Sequence, residues 1–66
     1  MADFWLVNSQ GCTFDTACGI TEDEAVEWGR GRQGWDGGDY RLCTDGEGGW
    51  SDVVAVYDGR TGRRRE

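Results

Sequence analysis

Histidine and lysine are absent from this 66-residue chain, and each absence removes a kind of chemistry. Without His the commonest general base and the imidazole metal ligand are missing. Without Lys there is no Schiff base and no ammonium to grip a phosphate. No Ser sits in a G-x-S-x-G setting, and a Cys nucleophile would have only carboxylates as its base. Aliphatics are scarce as well: two Leu, one Ile and five Val, with four Trp, two Phe and two Tyr making up the shortfall. Such a core is small and aromatic, with no room behind it for a deep substrate cavity. The longest apolar run is Phe4-Trp5-Leu6-Val7, far short of a membrane span. The opening Met-Ala-Asp lacks the basic and apolar regions of a secretion signal, so the expected location is the cytoplasm. An enzyme is not expected, nor a cofactor.

Three cysteines, Cys12, Cys18 and Cys43, are an odd number for a disulfide framework. Zinc would need a fourth ligand, and the five residues between Cys12 and Cys18 exceed the usual spacing. A Cys12–Cys18 disulfide stays open, but buried or half-buried thiols are the expected state, and no metal site is assigned. Asp45-Gly46-Glu47 and Asp36-Gly37-Gly38-Asp39 offer oxygen ligands, yet neither follows the EF-hand order. Both read as turns.

What the chain does have is negative charge. Its formal net charge is −6, with every cation an arginine. Residues 60–66 hold four Arg and one Glu, leaving residues 1–59 at a net −9. The reading is one acidic domain over 1–59 and a basic tail over 60–66, frayed or forming a short edge strand. A field of this sign repels nucleic acid and favours basic partners.

Phe4 to Val7 reads as a strand with both faces covered, Cys12 to Asp15 as a second strand, and Thr16 to Gly19 as a connector. Thr21-Glu22-Asp23-Glu24 fits a capping box with Ile20 in hydrophobic-staple position, so a helix is predicted from about 22 to 31. It packs through Trp28 and turns Asp23, Glu24 and Glu27 to solvent. Five glycines between Gly29 and Gly38 make a loop. Tyr40–Thr44 and Trp50–Tyr57 read as strands joined by the Asp45–Gly49 turn. The fold class is α+β: a small antiparallel sheet of three to four strands with one helix packed across one face.

Acids at i, i+3 and i+4 of a helix stand roughly 5–6 Å apart, and acids two apart along a strand roughly 6–7 Å. Both resemble the spacing of successive phosphates in a nucleic-acid strand. Asp23, Glu24 and Glu27 on the helix, with Asp36, Asp39, Asp45, Glu47 and Asp52 on the loops flanking the last strands, are the candidate partner-binding residues. Trp35 and Trp50, each bracketed by glycines, are candidate aromatic anchors if exposed. The poverty of aliphatics favours burying them as lids on the core.

A tiny acidic chain with no catalytic set and one helix on a sheet resembles the phage-encoded anti-CRISPR proteins. Among these it is most similar to the small acidic inhibitors of type I complexes, such as type I-C. The likeness rests on Thr21-Glu22-Asp23-Glu24 with Glu27 and on the acid-bearing loops around Asp36–Asp39 and Asp45–Glu47. It covers the character of the whole chain rather than an alignable motif. The resemblance implies a monomeric inhibitor that occludes a basic DNA- or PAM-reading surface of a bacterial CRISPR effector subunit by mimicry of phosphate charge, without binding nucleic acid or membrane itself. The Arg-rich tail departs from a pure DNA mimic. The alternative is a small cytosolic adaptor or regulatory module that binds a protein partner through exposed Trp and the Gly-rich loop.

Overall fold

The computed structural model describes residues 2–32 and 38–66. Four strands form one antiparallel sheet: β1 (Ala2–Val7), β2 (Thr13–Ile20), β3 (Tyr40–Asp45) and β4 (Ser51–Tyr57), in the order β2-β1-β3-β4. One helix, α1 (Glu22–Gly29), lies in the chain between β2 and β3. The fold is therefore α+β with a small sheet. No helix among the described residues is long and apolar enough to cross a membrane.

β1 sits between two partners and carries the alternation that such a place requires. Phe4 and Leu6 are 3% and 0% exposed and point into a cluster with Tyr40 and Leu42 of β3, Ala55 and Tyr57 of β4, and Ala25 of α1. The pleat puts Trp5, Cys43 and Val53 in a row on the other face, because Trp5 pairs with Cys43 and Cys43 with Val53. Three residues break the two-residue period. Phe14, Val54 and a residue in the Cys18–Gly19 stretch are extra in their strands, as the register shifts show. Such bulges re-aim side chains. Phe14 and Val54 both pack against the core, and Phe14 meets Tyr40 edge-on at 5.7 Å.

β2 is longer than the sequence suggested. Thr16–Gly19, expected as connector, continues the strand against β1 through the pairs Trp5 with Thr16 and Phe4 with Ala17. Gly19 takes φ +71°, a conformation that favours glycine, just before the strand resumes its register at Ile20.

The helix starts as predicted and stops two residues early. Thr21 Oγ accepts from the Glu24 N–H at 3.2 Å while Glu24 Oε1 accepts from the Thr21 N–H at 2.9 Å, completing the capping box. At the other end the Arg30 N–H turns to the Glu27 carbonyl, leaving the last carbonyls without helical donors. Two buried tyrosines supply them. Tyr57 donates its hydroxyl hydrogen to the Val26 carbonyl at 2.8 Å and Tyr40 donates to Gly29 at 2.6 Å. Their rings stack 4.9 Å apart. Arg32 ties the chain that follows, bonding Asp15 of β2 and the Trp28 carbonyl while its guanidinium lies 5.1 Å from the Trp28 ring. The expected loop at residues 33–37 lies outside the described residues.

The tail pairs with β4. Arg65 N–H and Glu66 N–H donate to the Val56 carbonyl, and the Val56 N–H donates to Glu66. Arg64 forms a β-bridge with Tyr57. The turn before it is closed by Asp58, whose Oδ1 accepts from the N–H groups of Arg60 and Thr61. These bonds hold the Asp58 carboxyl below its ordinary range, the Arg60 N–H foremost.

Candidate functional site

In an antiparallel sheet, strand starts and strand ends alternate along each edge. Here that rule sorts charge. One end of the sheet carries the start of β1, the end of β2, the end of β3 and the start of β4, since Ala2 pairs with Ile20 and Asp45 with Ser51. α1 begins one residue after β2, so its first turn belongs to the same end. Asp3, Glu22, Asp23, Glu24, Asp45, Glu47 and Asp52 all fall there. None of the seven arginines does. Arg41 pairs with Val7 and Val56 near the opposite end, Arg30 and Arg32 follow the helix, and the other four follow β4.

The sequence view of an acidic body with a basic tail is thereby redrawn as an acidic end and a mixed end. The two acidic segments that matter most touch a common depression. An open groove of ≈ 310 Å³ is lined by Ala2, Phe4, Ile20, Thr21, Glu22, Thr44 and Asp45, joining the helix start to the end of β3. Thr44 Oγ1 donates to the Asp3 carbonyl at 2.8 Å and fixes the start of β1 beside it. Asp52 pairs with Thr44 and folds toward the turn: a Cβ on Gly46 would stand 2.5 Å from Asp52 Oδ2. A side chain at 46 would push that carboxylate out of this position. The Gly46 N–H donates to the Trp50 carbonyl and closes the turn that holds Glu47.

The predicted site residues divide between the two ends. Asp23, Glu24, Asp45, Glu47 and Asp52 are brought together. Glu24 spends one oxygen on the capping box, and the Thr21 N–H holds its carboxyl below the usual carboxylate range, so its charge persists in mild acid. Glu27 lies further along the helix, its carboxylate 3.7 Å from Arg30. Asp39 lies at the far end, where Arg65 bonds it at 2.9 Å. Asp36 and Trp35 lie outside the described residues. Asp3 and Glu22 were not among the candidate partner-binding residues. The signal for Glu22 was present in the capping box, whereas Asp3 joins only through strand pairing.

Trp50 corrects an expectation. It was read as a buried lid, but its side chain is 76% exposed, at the mouth of the β3–β4 turn. The cysteines correct another: all three are free, Cys43 is buried, but Cys12 and Cys18 are exposed. Among the described residues no cluster of three or more His, Cys, Asp or Glu is arranged to hold a metal.

Chemically, the acidic end offers acceptors and no donor cation. It suits electrostatic recognition of guanidinium and ammonium groups. No known protein family, curated protein or solved structure matches the chain.

Proposed function

We propose that the protein is a non-enzymatic inhibitor that binds the basic, nucleic-acid-handling surface of a bacterial CRISPR effector subunit by DNA-like negative charge and blocks recognition of target DNA. The observation carrying this reading is the gathering of seven acids and no arginine at one end of the sheet. In the proposal α1 lies across the face that bears Phe4, Leu6, Leu42 and Ala55, and this packing keeps the helix acids at fixed spacing from those of the β3–β4 turn. Neighbouring strands stand about 4.8 Å apart and residues two apart on a strand roughly 6–7 Å, a pitch a phosphate-binding groove accepts. The arginines, held at the opposite end, do not oppose the approach of a cationic groove.

The test is competition for target DNA on a purified type I effector complex. Binding should weaken steeply as salt rises from about 0.1 M to about 1 M, which shortens the screening length from about 10 Å to about 3 Å. Combined reversal of Glu22 and Asp45 to Arg should cost about tenfold or more in affinity. Salt-independent binding, or a double variant that competes like the parent, would refute the proposal.

The exposed Trp50 favours a second reading, a small adaptor that docks through this indole. Under it, Trp50→Ala abolishes partner binding while salt has little effect.

A further inference from the structure

The positive charge at the mixed end also has a shape. An open groove of ≈ 440 Å³ is lined by Arg30, Gly31, Thr61, Gly62, Arg63 and Arg64. Three guanidinium-bearing residues contribute to its walls and no acid does, in a chain of net charge −6. Two glycine turns from distant parts of the chain make it. Gly31 and Gly62 sit at φ +76° and +74°, and the Gly31 N–H donates to the Gly62 carbonyl at 3.1 Å. A Cβ on Gly62 would lie 2.5 Å from Gly31 Cα and N, so the close approach exists only because residue 62 has no side chain. That approach sets Arg30, after the helix, against Arg63 and Arg64, after β4.

Part of the groove is preorganised. Arg64 donates through Nε to the Glu66 carbonyl at 3.0 Å and through Nη2 to Val54 at 3.4 Å. Thr61 Oγ accepts from the Arg63 N–H at 3.3 Å, which leaves the hydroxyl hydrogen to donate. The Arg63 guanidinium has no hydrogen-bond or ion-pair partner among the described residues. Among the described residues Arg30 is opposed only by the exposed Glu27, at 3.7 Å.

We propose that this groove binds a small phosphorylated ligand, with Arg30, Arg63 and Arg64 neutralising the phosphate oxygens and Thr61 donating a hydroxyl hydrogen. Guanidinium forks match phosphate geometry and charge. A compact multivalent anion satisfies three cations at once, which a monocarboxylate does not. A nucleic-acid strand is disfavoured, because it would extend from the groove into the field of the acidic end.

The test is a two-dimensional amide NMR titration of the full chain with pyrophosphate, inorganic phosphate, acetate and a short oligothymidylate, at matched ionic strength. Expected are saturable shifts with pyrophosphate confined to residues 30–31 and 61–64, weaker ones with phosphate, and none with acetate. Arg63→Gln and Arg30→Gln should each weaken pyrophosphate binding about three- to tenfold. Both side chains lie at the surface, and unchanged Tyr40 and Leu42 amides confirm the fold of each variant. Pyrophosphate shifts that are absent or spread over the whole chain, unaltered binding by both variants, or tighter binding of the oligothymidylate at the same amides would each overturn the proposal.

Discussion

Replacing Gly29 by Ala in the last turn of α1 tests the helix–sheet junction, because two effects of opposite sign meet there. In an exposed helix the change stabilises by about 1 kcal/mol. Here a Cβ at 29 would stand 2.8 Å from Tyr57 Oη, 2.9 Å from Cζ and 3.1 Å from Cε1. That ring cannot retreat freely. It is fully buried, stacked on Tyr40, and tied through its hydroxyl to Val26. Overpacking costs about 1–3 kcal/mol, and a buried hydroxyl pushed off its acceptor costs about 1–3 kcal/mol more. The clash therefore wins, by about 1–5 kcal/mol after the propensity gain. For a domain of this size each kcal/mol moves the midpoint by about 4–8 °C, so thermal melting followed by circular dichroism should show Gly29→Ala lower by about 4–40 °C. Tyr57→Phe removes the nearest atom. The double variant should then recover at least about 0.5 kcal/mol relative to additivity. A Gly29→Ala protein that melts at or above the parent refutes the packing described here.

Three further outcomes are expected. Asp15 is held below its ordinary value of 3.8, chiefly by the hydrogen bond from Arg32. Its stabilisation is therefore present above that value and lost as pH falls through the lower folded one. Urea midpoints of the parent and Asp15→Asn should differ at pH 6 and converge only as pH falls below 3.8 and through the lower folded value, the difference being about 1 kcal/mol or less because the pair is partly exposed. With a thiol reagent such as dithionitrobenzoate, Cys12 and Cys18 should react at once and Cys43 only on unfolding, since it is buried and burial raises its thiol pKa. Trp50→Ala should change stability by less than about 0.5 kcal/mol, as the indole is exposed; a larger loss in a urea titration would contradict its placement.

The legible parts of the fold were those encoded locally. The capping box at Thr21–Glu24 needs four consecutive residues, and it marked the helix start. The alternation of Tyr40–Thr44 and the β-branched run around Val53–Val56 placed β3 and β4, joined by a glycine-rich turn. β2 was cut short because Thr16-Ala17-Cys18-Gly19 has no pattern of its own. It becomes strand by pairing with β1, and its bulges scramble the period. The early end of α1 depends on tyrosines far away in sequence. The charge arrangement was legible only in part. The acids could be counted, but Asp3, Glu22, Asp45 and Asp52 are as many as 49 positions apart in the chain. Antiparallel topology is what gathers them. Arg65 pairing with Asp39 and Asp58 had no sequence signal beyond a basic tail.

Keeping every guanidinium away from the acidic end gives the molecule a permanent electric moment over a body only 30 × 21 × 19 Å. A neutral or evenly charged particle of that size tumbles blindly until it collides. This one experiences a torque in an external electric field, so that near a cationic surface its electronegative pole would turn forward before contact. With the cationic partner proposed above, orientation would precede docking, and fewer collisions would be wasted on the wrong side.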